Sequence, residues 1–549
     1  MFQKLISFIS AATLVAVLMA PFSSRGLDQP GPEETGEQTY GPGNPAPLSE
    51  ASAGLQIIDA QNFEPTAQQT LALSVTADVD APKVFYDTTD GVSVLVIRLR
   101  PFYFSQAVTF QLFDTSATSG TIGGDAEHDG SIWSSMPPLP APTNGGQFGS
   151  LSVTIPAGQP AVVYYRPPAR NILYQQDGGQ EQGLTIFVYA GAHAGGKTIS
   201  SGDVTLVPPD ELLVHGFLSG PTSMETLGTA LNASASSSTP SGQSGAKVAY
   251  IDWSTANDSG FPAAAPLVIE AVLKRLSLDR IVYQAITQVD AVGHSMGGVL
   301  CLWYAENLGN VAFNRPSIYI ILDAGNVDDV WDGKQYPYVR ANNFGQGDFR
   351  RIISIDSPLL GSPFANALIG FLENSSNIQI AAFASVIQQA GGSGDGAALV
   401  DLADNSQAMG ELLQNARDVG ALWMPVECEA GPTEGAPNLA SAGIIGFALA
   451  KVGASLFFNG IDPLSNTYDA SIGLTPQNSD MVVTEQSQGF AAGGADTPLY
   501  YRVQSTAHTQ AESNTTVIQY VQHALGEYYV VPPGTGTATP GYQMFNKGF

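Results

Sequence analysis

The feature that most constrains this chain is the run Val289-Asp290-Ala291-Val292-Gly293-His294-Ser295-Met296-Gly297-Gly298. An apolar strand ends, a serine stands between flanking glycines, and an apolar helix begins. A turn that tight crowds side chains against the backbone, so the positions on either side of the serine must be small. Gly293 and Gly297 meet that demand. The serine hydroxyl then projects from the strand end, above the first turn of the helix, where backbone N–H groups lack partners and favour negative charge.

The rest of the chain is long and apolar enough to support such a turn. It has 549 residues, 44% of them hydrophobic and 13% charged, which suits two or three globular units with large cores. The formal net charge of -28 repels nucleic-acid backbones and anionic headgroups. It fits neutral substrates, or simply solubility. Residues 1–24 carry a lone Lys4 before the apolar run Leu5 to Met19, short for a membrane span and similar to a signal peptide. A secreted, periplasmic or cell-surface location follows as the expectation, with an uncleaved anchor as the other reading. Residues 25–50 are rich in Pro and Gly and read as a linker.

Residues 51–207 hold short β-type runs such as Leu71–Val75, Val92–Ile97, Val108–Leu112 and Leu184–Val188, separated by Gly/Pro turns. They predict an antiparallel β-sandwich of immunoglobulin-like type, serving as an accessory domain. Pro208-Pro209 marks a hinge. Over residues 208–530 strand-type and helix-type runs alternate, which predicts an α/β domain with a mostly parallel sheet. Two apolar, helix-like insertions, 364–421 and 431–477, predict either a cap or lid or ordinary core packing. Residues 531–549 read as a loose tail. Cys301 and Cys428 are the only cysteines, and spacing alone does not pair them.

A serine hydroxyl is a poor nucleophile without an adjacent base. The chain has six histidines. His128 and His193 lie in the β-rich part. His294 is inside the turn and reads as directed away from the serine. His215 precedes Gly216 at a strand end, and His523 sits mid-helix in the run Thr515 to Leu525. His508 follows the last strand-type run on a loop. Acidic candidates ahead of it are Asp462, Asp469, Asp480, Glu485 and Asp496. The cluster Asp323, Asp328, Asp329 and Asp332 reads as a solvated loop, since it fits no calcium-binding loop pattern. Zinc-ligand spacings, phosphate-cradling loops and basic stripes are missing from the sequence, so no metal or cofactor is expected.

On these motifs, residues 208–530 resemble the α/β-hydrolase superfamily, and within it the bacterial lipases and esterases with a Gly-His-Ser-Met-Gly elbow. The resemblance implies Ser295 as nucleophile and His508 as base. It implies Asp480 as the acid, because Asn478-Ser479-Asp480-Met481-Val482 is similar to the family's Asn-Asp-Gly-Leu-Val segment. Val214-His215-Gly216-Phe217 is similar to its His-Gly-Phe loop, which implies oxyanion donors at the N–H groups of Phe217 and Met296, with His215, Gly216, Gly293 and Gly297 shaping the turns. Ser357-Pro358-Leu359-Leu360-Gly361-Ser362 is similar to a family loop that carries histidine where Leu359 stands. The family's structural calcium is held partly by an aspartate at the position of Gln510 here, so calcium lacks motif support. The implied function is an exported serine ester hydrolase acting on acylglycerols or other lipid esters. Brief contact with a lipid interface is compatible with that function, nucleic acid is not a partner, and no oligomeric state follows. An acyltransferase using the same three groups is the rival within the class. A surface adhesion or carbohydrate-binding protein is the rival outside it.

Overall fold

Alternating apolar residues in the first half of the chain build two facing sheets. The computed structural model describes residues 54–63, 84–114, 129–139, 149–169, 182–191, 196–217, 219–236, 248–257, 259–281, 284–306, 319–323, 326–329, 338, 343–366, 369, 396–404, 406–415, 422–428, 479–480, 482–489, 501–504, 506, 508–526 and 543–544. The export segment, the linker, the insertion 431–477, the run Leu71–Val75, His128 and His193 lie outside the described residues. So do Asp462, Asp469 and Asp496.

The first-half strands are β1 (Gly54–Asp59), β2 (Tyr86–Thr88), β3 (Leu95–Tyr103), β4 (Val108–Asp114), β5 (Ser131–Trp133), β6 (Ser152–Ile155), β7 (Pro160–Arg166), β8 (Gln182–Ala190) and β9 (Thr198–Val207). One sheet runs β1-β3-β7-β5, all antiparallel. Its Leu95, Ile97, Leu99 and Val163 pack against Phe110, Leu112, Ile186, Val188 and Val204 of the second sheet, the packing of a sandwich. Residues of alternate register, Val94, Val96, Val162 and Tyr164, are also buried, with Trp133 and Phe344 packed over them.

The second sheet departs from the antiparallel expectation. Its order is β12-β2-β9-β8-β4-β6, where β12 is Gln284–Ala285 from the second half of the chain. Both β2–β9 and β12–β2 are parallel. Parallel pairing needs a long connection rather than a hairpin, and more than a hundred residues separate Thr88 from its partner Val207. Strand pairing therefore crosses the hinge at Pro208-Pro209.

A second seam reinforces the first. The buried Asp90 carboxylate accepts the N–H groups of Val92 (2.8 Å) and Ser93 (2.7 Å) on one oxygen, and those of Thr287 (2.8 Å) and Gln288 (3.0 Å) on the other. Thr287 and Gln288 lead directly into the strand that ends at Ser295, so the sandwich grips that strand at its far end. Asp90→Ala leaves those four buried donors without an acceptor. It is expected to cost about 3 kcal/mol of stability in urea unfolding, with little change in the turnover of the folded fraction.

The second half holds β10 (Glu211–Val214), α1 (Glu225–Ser236), β11 (Val248–Ile251), α2 (Phe261–Ile281), β13 (Val289–His294), α3 (Met296–Ala305), β14 (Tyr319–Asp323), β15 (Asn326–Asp329), β16 (Phe349–Ile355), α4 (Ala397–Leu402), α5 (Gln407–Asn415), β17 (Leu422–Cys428), α6 (Glu485–Gln488), β18 (Tyr501–Val503), α7 (Thr515–Gly526) and β19 (Gln543–Met544). The main sheet runs β11-β10-β13-β16-β17-β18, every pair parallel. Strands β10, β13 and β16 are buried throughout, as strands covered on both faces must be. Leu212, Val214, Ala291 and Ile352 face α2 and α3. Leu213, Val292, Ile353 and Val426 face α1 and α7.

One open alternative is resolved and two sequence expectations need revision. The described part of the insertion 364–421 joins the core: Phe364, Leu399, Leu402, Met409 and Leu412 pack with α2 and α3, and Asp401 accepts the Phe261 N–H at 2.8 Å. The acidic segment read as a solvated loop holds a two-stranded antiparallel hairpin, β14–β15. The expected loose tail supplies β19, which pairs with Leu422 and Trp423 of β17. Cys301 and Cys428 are free, buried thiols in separate core layers. Among the described residues no helix is long and apolar enough to cross a membrane.

Candidate active site

The central strand β13 lies between β10 and β16, and its last residue hands the chain to the turn at Ser295. Ser295 has φ 53° and ψ -129°, a left-handed backbone that a non-glycine residue adopts only under constraint from its surroundings. The constraint is visible. Its N–H donates to Ile355 O at 2.8 Å, and its carbonyl accepts Gly298 N–H at 3.1 Å. A Cβ on Gly293 would strike the backbone of Gly297 and Gly298, and one on Gly297 would strike the carbonyls of Val214 and His215. Both glycines are there because backbone passes where a side chain would be.

Two side chains line up behind the hydroxyl. His508 Nε2 is 2.9 Å from Ser295 Oγ, and His508 Nδ1 is 2.6 Å from Asp480 Oδ2. With the proton on Nδ1 donated to the carboxylate, Nε2 is left to accept the hydroxyl proton. Ser295, His508 and Asp480 are all buried. The second Asp480 oxygen accepts N–H groups from Val482 (2.9 Å) and Val483 (2.7 Å), which locks the carboxylate plane. The His508 N–H donates to the Asp480 carbonyl at 3.0 Å, so the two loops are joined through backbone as well.

Burial alone would lower the affinity of His508 for a proton. The charge of Asp480, its hydrogen bond, and the charge of Glu512 act the other way and leave the imidazole above its ordinary value of 6.5.

The Asp480 loop is fixed from behind. Gln488 on α6 accepts the Cys428 N–H (2.7 Å) and donates to the carbonyls of Cys428 and Val483 (both 3.1 Å). Ser487 Oγ accepts the Leu360 N–H (3.0 Å) and donates to Gly361 O (2.6 Å), while Ser362 Oγ donates to Val482 O (2.6 Å). The Ser357–Ser362 loop is thus a brace for the Asp480 loop, and Leu359 is a core residue within it.

On the other side of the hydroxyl stands the turn after β10. A Cβ on Gly216 would lie 2.9 Å from Ser295 Cβ, so this loop backs directly onto the serine, and Phe217 follows it. His215 shapes the loop. Its ring stacks on Trp253 (4.7 Å between centroids, 5° between planes), Nδ1 lies 3.0 Å from Gly216 O, and Nε2 lies 3.4 Å from the Trp253 N–H. A neutral imidazole with its proton on Nδ1 satisfies both bonds, and burial favours that uncharged form. Met296 opens α3, where N–H groups have no intrahelical acceptor.

The remaining sequence candidates fall elsewhere. His523 is exposed on α7, and Glu485 pairs with Arg502 at 2.5 Å. His294, read from sequence as a residue directed away from the serine, turns its ring toward His508: the His294 and His508 centroids are 4.8 Å apart. Glu512 and Asp356 also lie here, and sequence reading missed both. Asp356 follows β16 with φ 50°, fully buried. Burial first, and then the neighbouring Asp480 charge, push its carboxyl well above the usual range. Ligand-type atoms of His294, Asp356 and His508 lie within 4.8 Å of one another. Both His508 nitrogens and His294 Nε2 already have protein partners.

No protein-family model matches the chain, and no curated protein matches it. Solved structures do. The lipase of Staphylococcus hyicus is 12% identical, with 58% of this chain and 94% of the lipase covered and a TM-score of 0.32. A gene product of Listeria innocua is 11% identical, with 59% of this chain and 96% of that one covered and a TM-score of 0.30. The phospholipase PlaB of Legionella pneumophila is 13% identical, with 51% and 44% covered and a TM-score of 0.29.

Proposed function

We propose that this chain is a serine hydrolase that cleaves carboxylic esters, with lipid esters such as acylglycerols as the substrate class. The observation that carries the reading is the unbroken chain from Ser295 Oγ through His508 to Asp480, with contacts of 2.9 and 2.6 Å in a buried site. His508 takes the hydroxyl proton as Oγ attacks the ester carbonyl. The negative charge on the carbonyl oxygen is met by the N–H groups of Met296 and Phe217. Each such donor is worth about 3 kcal/mol in transition-state stabilisation. His508, now charged and steadied by Asp480, protonates the leaving alcohol. Water activated by the same imidazole then releases the acid from the acyl-enzyme.

The test is turnover of a chain-length series of nitrophenyl esters, beside a nitroanilide of matched acyl group. Ester hydrolysis with little amide hydrolysis supports the reading, and a preference for longer acyl chains supports lipid esters. Absence of hydrolysis across the series defeats it.

The reading also fixes a pH dependence. Protonated His508 cannot accept the serine proton, so kcat/KM is expected to fall with falling pH through an apparent pKa above 6.5. The raised affinity of the folded site for that proton favours folding below pH 6.5, and this contribution is lost as pH rises through the folded value. Activity and that part of the stability therefore run in opposite directions with pH.

A further inference from the structure

A backbone N–H is aimed by its peptide plane, and the Phe217 N–H shares that plane with the Gly216 carbonyl. The peptide is trans, so carbonyl and N–H point to opposite sides of one rigid unit. The groups that hold Gly216 O therefore set the direction of the Phe217 N–H. Two side chains hold it. Ser219 Oγ donates to Gly216 O at 2.9 Å, and His215 Nδ1 lies 3.0 Å from the same oxygen. Ser219 Oγ and His215 Nδ1 are themselves 3.4 Å apart, so the two supports converge on one point.

Each support is anchored in turn. Asn257, fully buried, donates from Nδ2 to the Ser219 carbonyl at 2.8 Å. Asn257 itself closes the short helical turn Ser254–Ala256 that follows β11. The His215 ring is stacked on Trp253, and the Trp253 indole N–H donates to His215 O at 3.0 Å. Two successive carbonyls are thus fixed, His215 O by the indole and Gly216 O by the hydroxyl and the imidazole. A carbonyl oxygen has two lone pairs, and both are taken at Gly216. The plane that carries the Phe217 N–H is left little freedom to rotate.

We propose that Ser219 is a positioning residue that, with the His215 imidazole, holds the Gly216 carbonyl and so aims the Phe217 N–H at the oxygen that becomes negative. The proposal rests on the serine-hydrolase reading and adds to it a residue outside the Ser295–His508–Asp480 chain. A donor placed in advance stabilises developing charge without reorganising at the moment of reaction. Without the hydroxyl, the imidazole alone holds the plane, and the N–H swings over a wider angle. The loss falls on the transition state, because a neutral ester carbonyl draws less on the donor than an oxyanion does. Ser219 is uncharged, so the acid limb set by His508 stays where it is in the wild type.

The experiment compares Ser219→Ala, Ser219→Cys and Ser219→Thr with the wild type, in nitrophenyl ester turnover and in inhibition by a trifluoromethyl ketone of matched acyl chain. Ser295 Oγ bonds to the ketone carbon, its proton passes to His508, and the carbonyl electron pair goes to oxygen. Ketone affinity therefore reads the oxyanion donors. Losing such a donor outright costs on the order of 100-fold in kcat. Ser219→Ala keeps the donor and one of its two supports, so a fall of about tenfold in kcat is expected, with KM and the acid limb unchanged. Ketone affinity is expected to fall by the same factor, and Ser219→Thr, which keeps the hydroxyl, to restore both. An alanine variant with wild-type kcat overturns the proposal. So does a fall in kcat with ketone affinity unmoved, the result for a hydroxyl that only closes the turn. If the alanine variant fails to fold, Ser219→Cys takes its place, with a similar shape and a weak donor, and wild-type kcat with cysteine overturns the proposal. A wild type that neither hydrolyses ester nor takes up a fluorophosphonate defeats the serine-hydrolase reading instead.

Discussion

Replacing Ser295 by alanine is expected to lower kcat by about a million-fold, with the folded structure and substrate affinity retained, because the nucleophile acts as a unit with its base. The fold should tolerate the change for a specific reason. The strained backbone at φ 53° is held by bonds from the Ser295 N–H and C=O, and alanine keeps both along with the Cβ. The hydroxyl bonds His508 and nothing else among the described residues. What remains after the loss is the pocket and the oxyanion donors, worth a residual acceleration of about a thousand-fold over water. Circular dichroism and urea unfolding check the fold, and steady-state ester hydrolysis checks the rate. A variant that loses its fold along with its activity would place Ser295 in the structure rather than in the chemistry.

Asp480→Asn is expected to cost about ten-thousand-fold in kcat without displacing the loop. The asparagine oxygen can still accept the N–H groups of Val482 and Val483, so the loop geometry survives. The amide nitrogen then faces His508 Nδ1 as a donor. Nδ1 must accept, the proton moves to Nε2, and the imidazole presents a hydrogen to Ser295 where it should present a lone pair. Burial of the ring then goes unopposed by the carboxylate, so the residual activity should show its acid limb shifted to lower pH than in the wild type. A variant with full activity and an unshifted limb would mean that another group orients the base.

The parts of this protein that sequence made legible are those set by local sterics and by periodicity. The serine turn is legible because only small residues fit where backbone crosses backbone at Gly293 and Gly297. The parallel sheet is legible because β10, β13 and β16 are covered on both faces and must be apolar. His508 could be singled out from six histidines, and the structure brings it to Ser295 and Asp480 together. The parts that stayed hidden depend on distant segments meeting. Nothing local in Gln284-Ala285 announces a strand that pairs with Tyr86-Asp87 across the hinge. Asp90 looks like any turn aspartate until Thr287 and Gln288 arrive at its second oxygen. Asp356 reads as the polar end of a strand, and Glu512 as one acid on a polar turn. Their significance comes from burial beside His508 and Asp480, which one-dimensional periodicity does not encode. His294 shows the same limit from the other side: its place in the motif was plain, while the direction of its ring was decided by the helical turn that follows the base.

The most direct test of the central claim is mass spectrometry of the full chain after reaction with a fluorophosphonate ester. A single adduct on the peptide carrying Ser295 is predicted, forming more slowly as pH falls through the His508 titration. An adduct on a different serine, or ester hydrolysis that proceeds with Ser295 left unmodified by excess reagent, would contradict it.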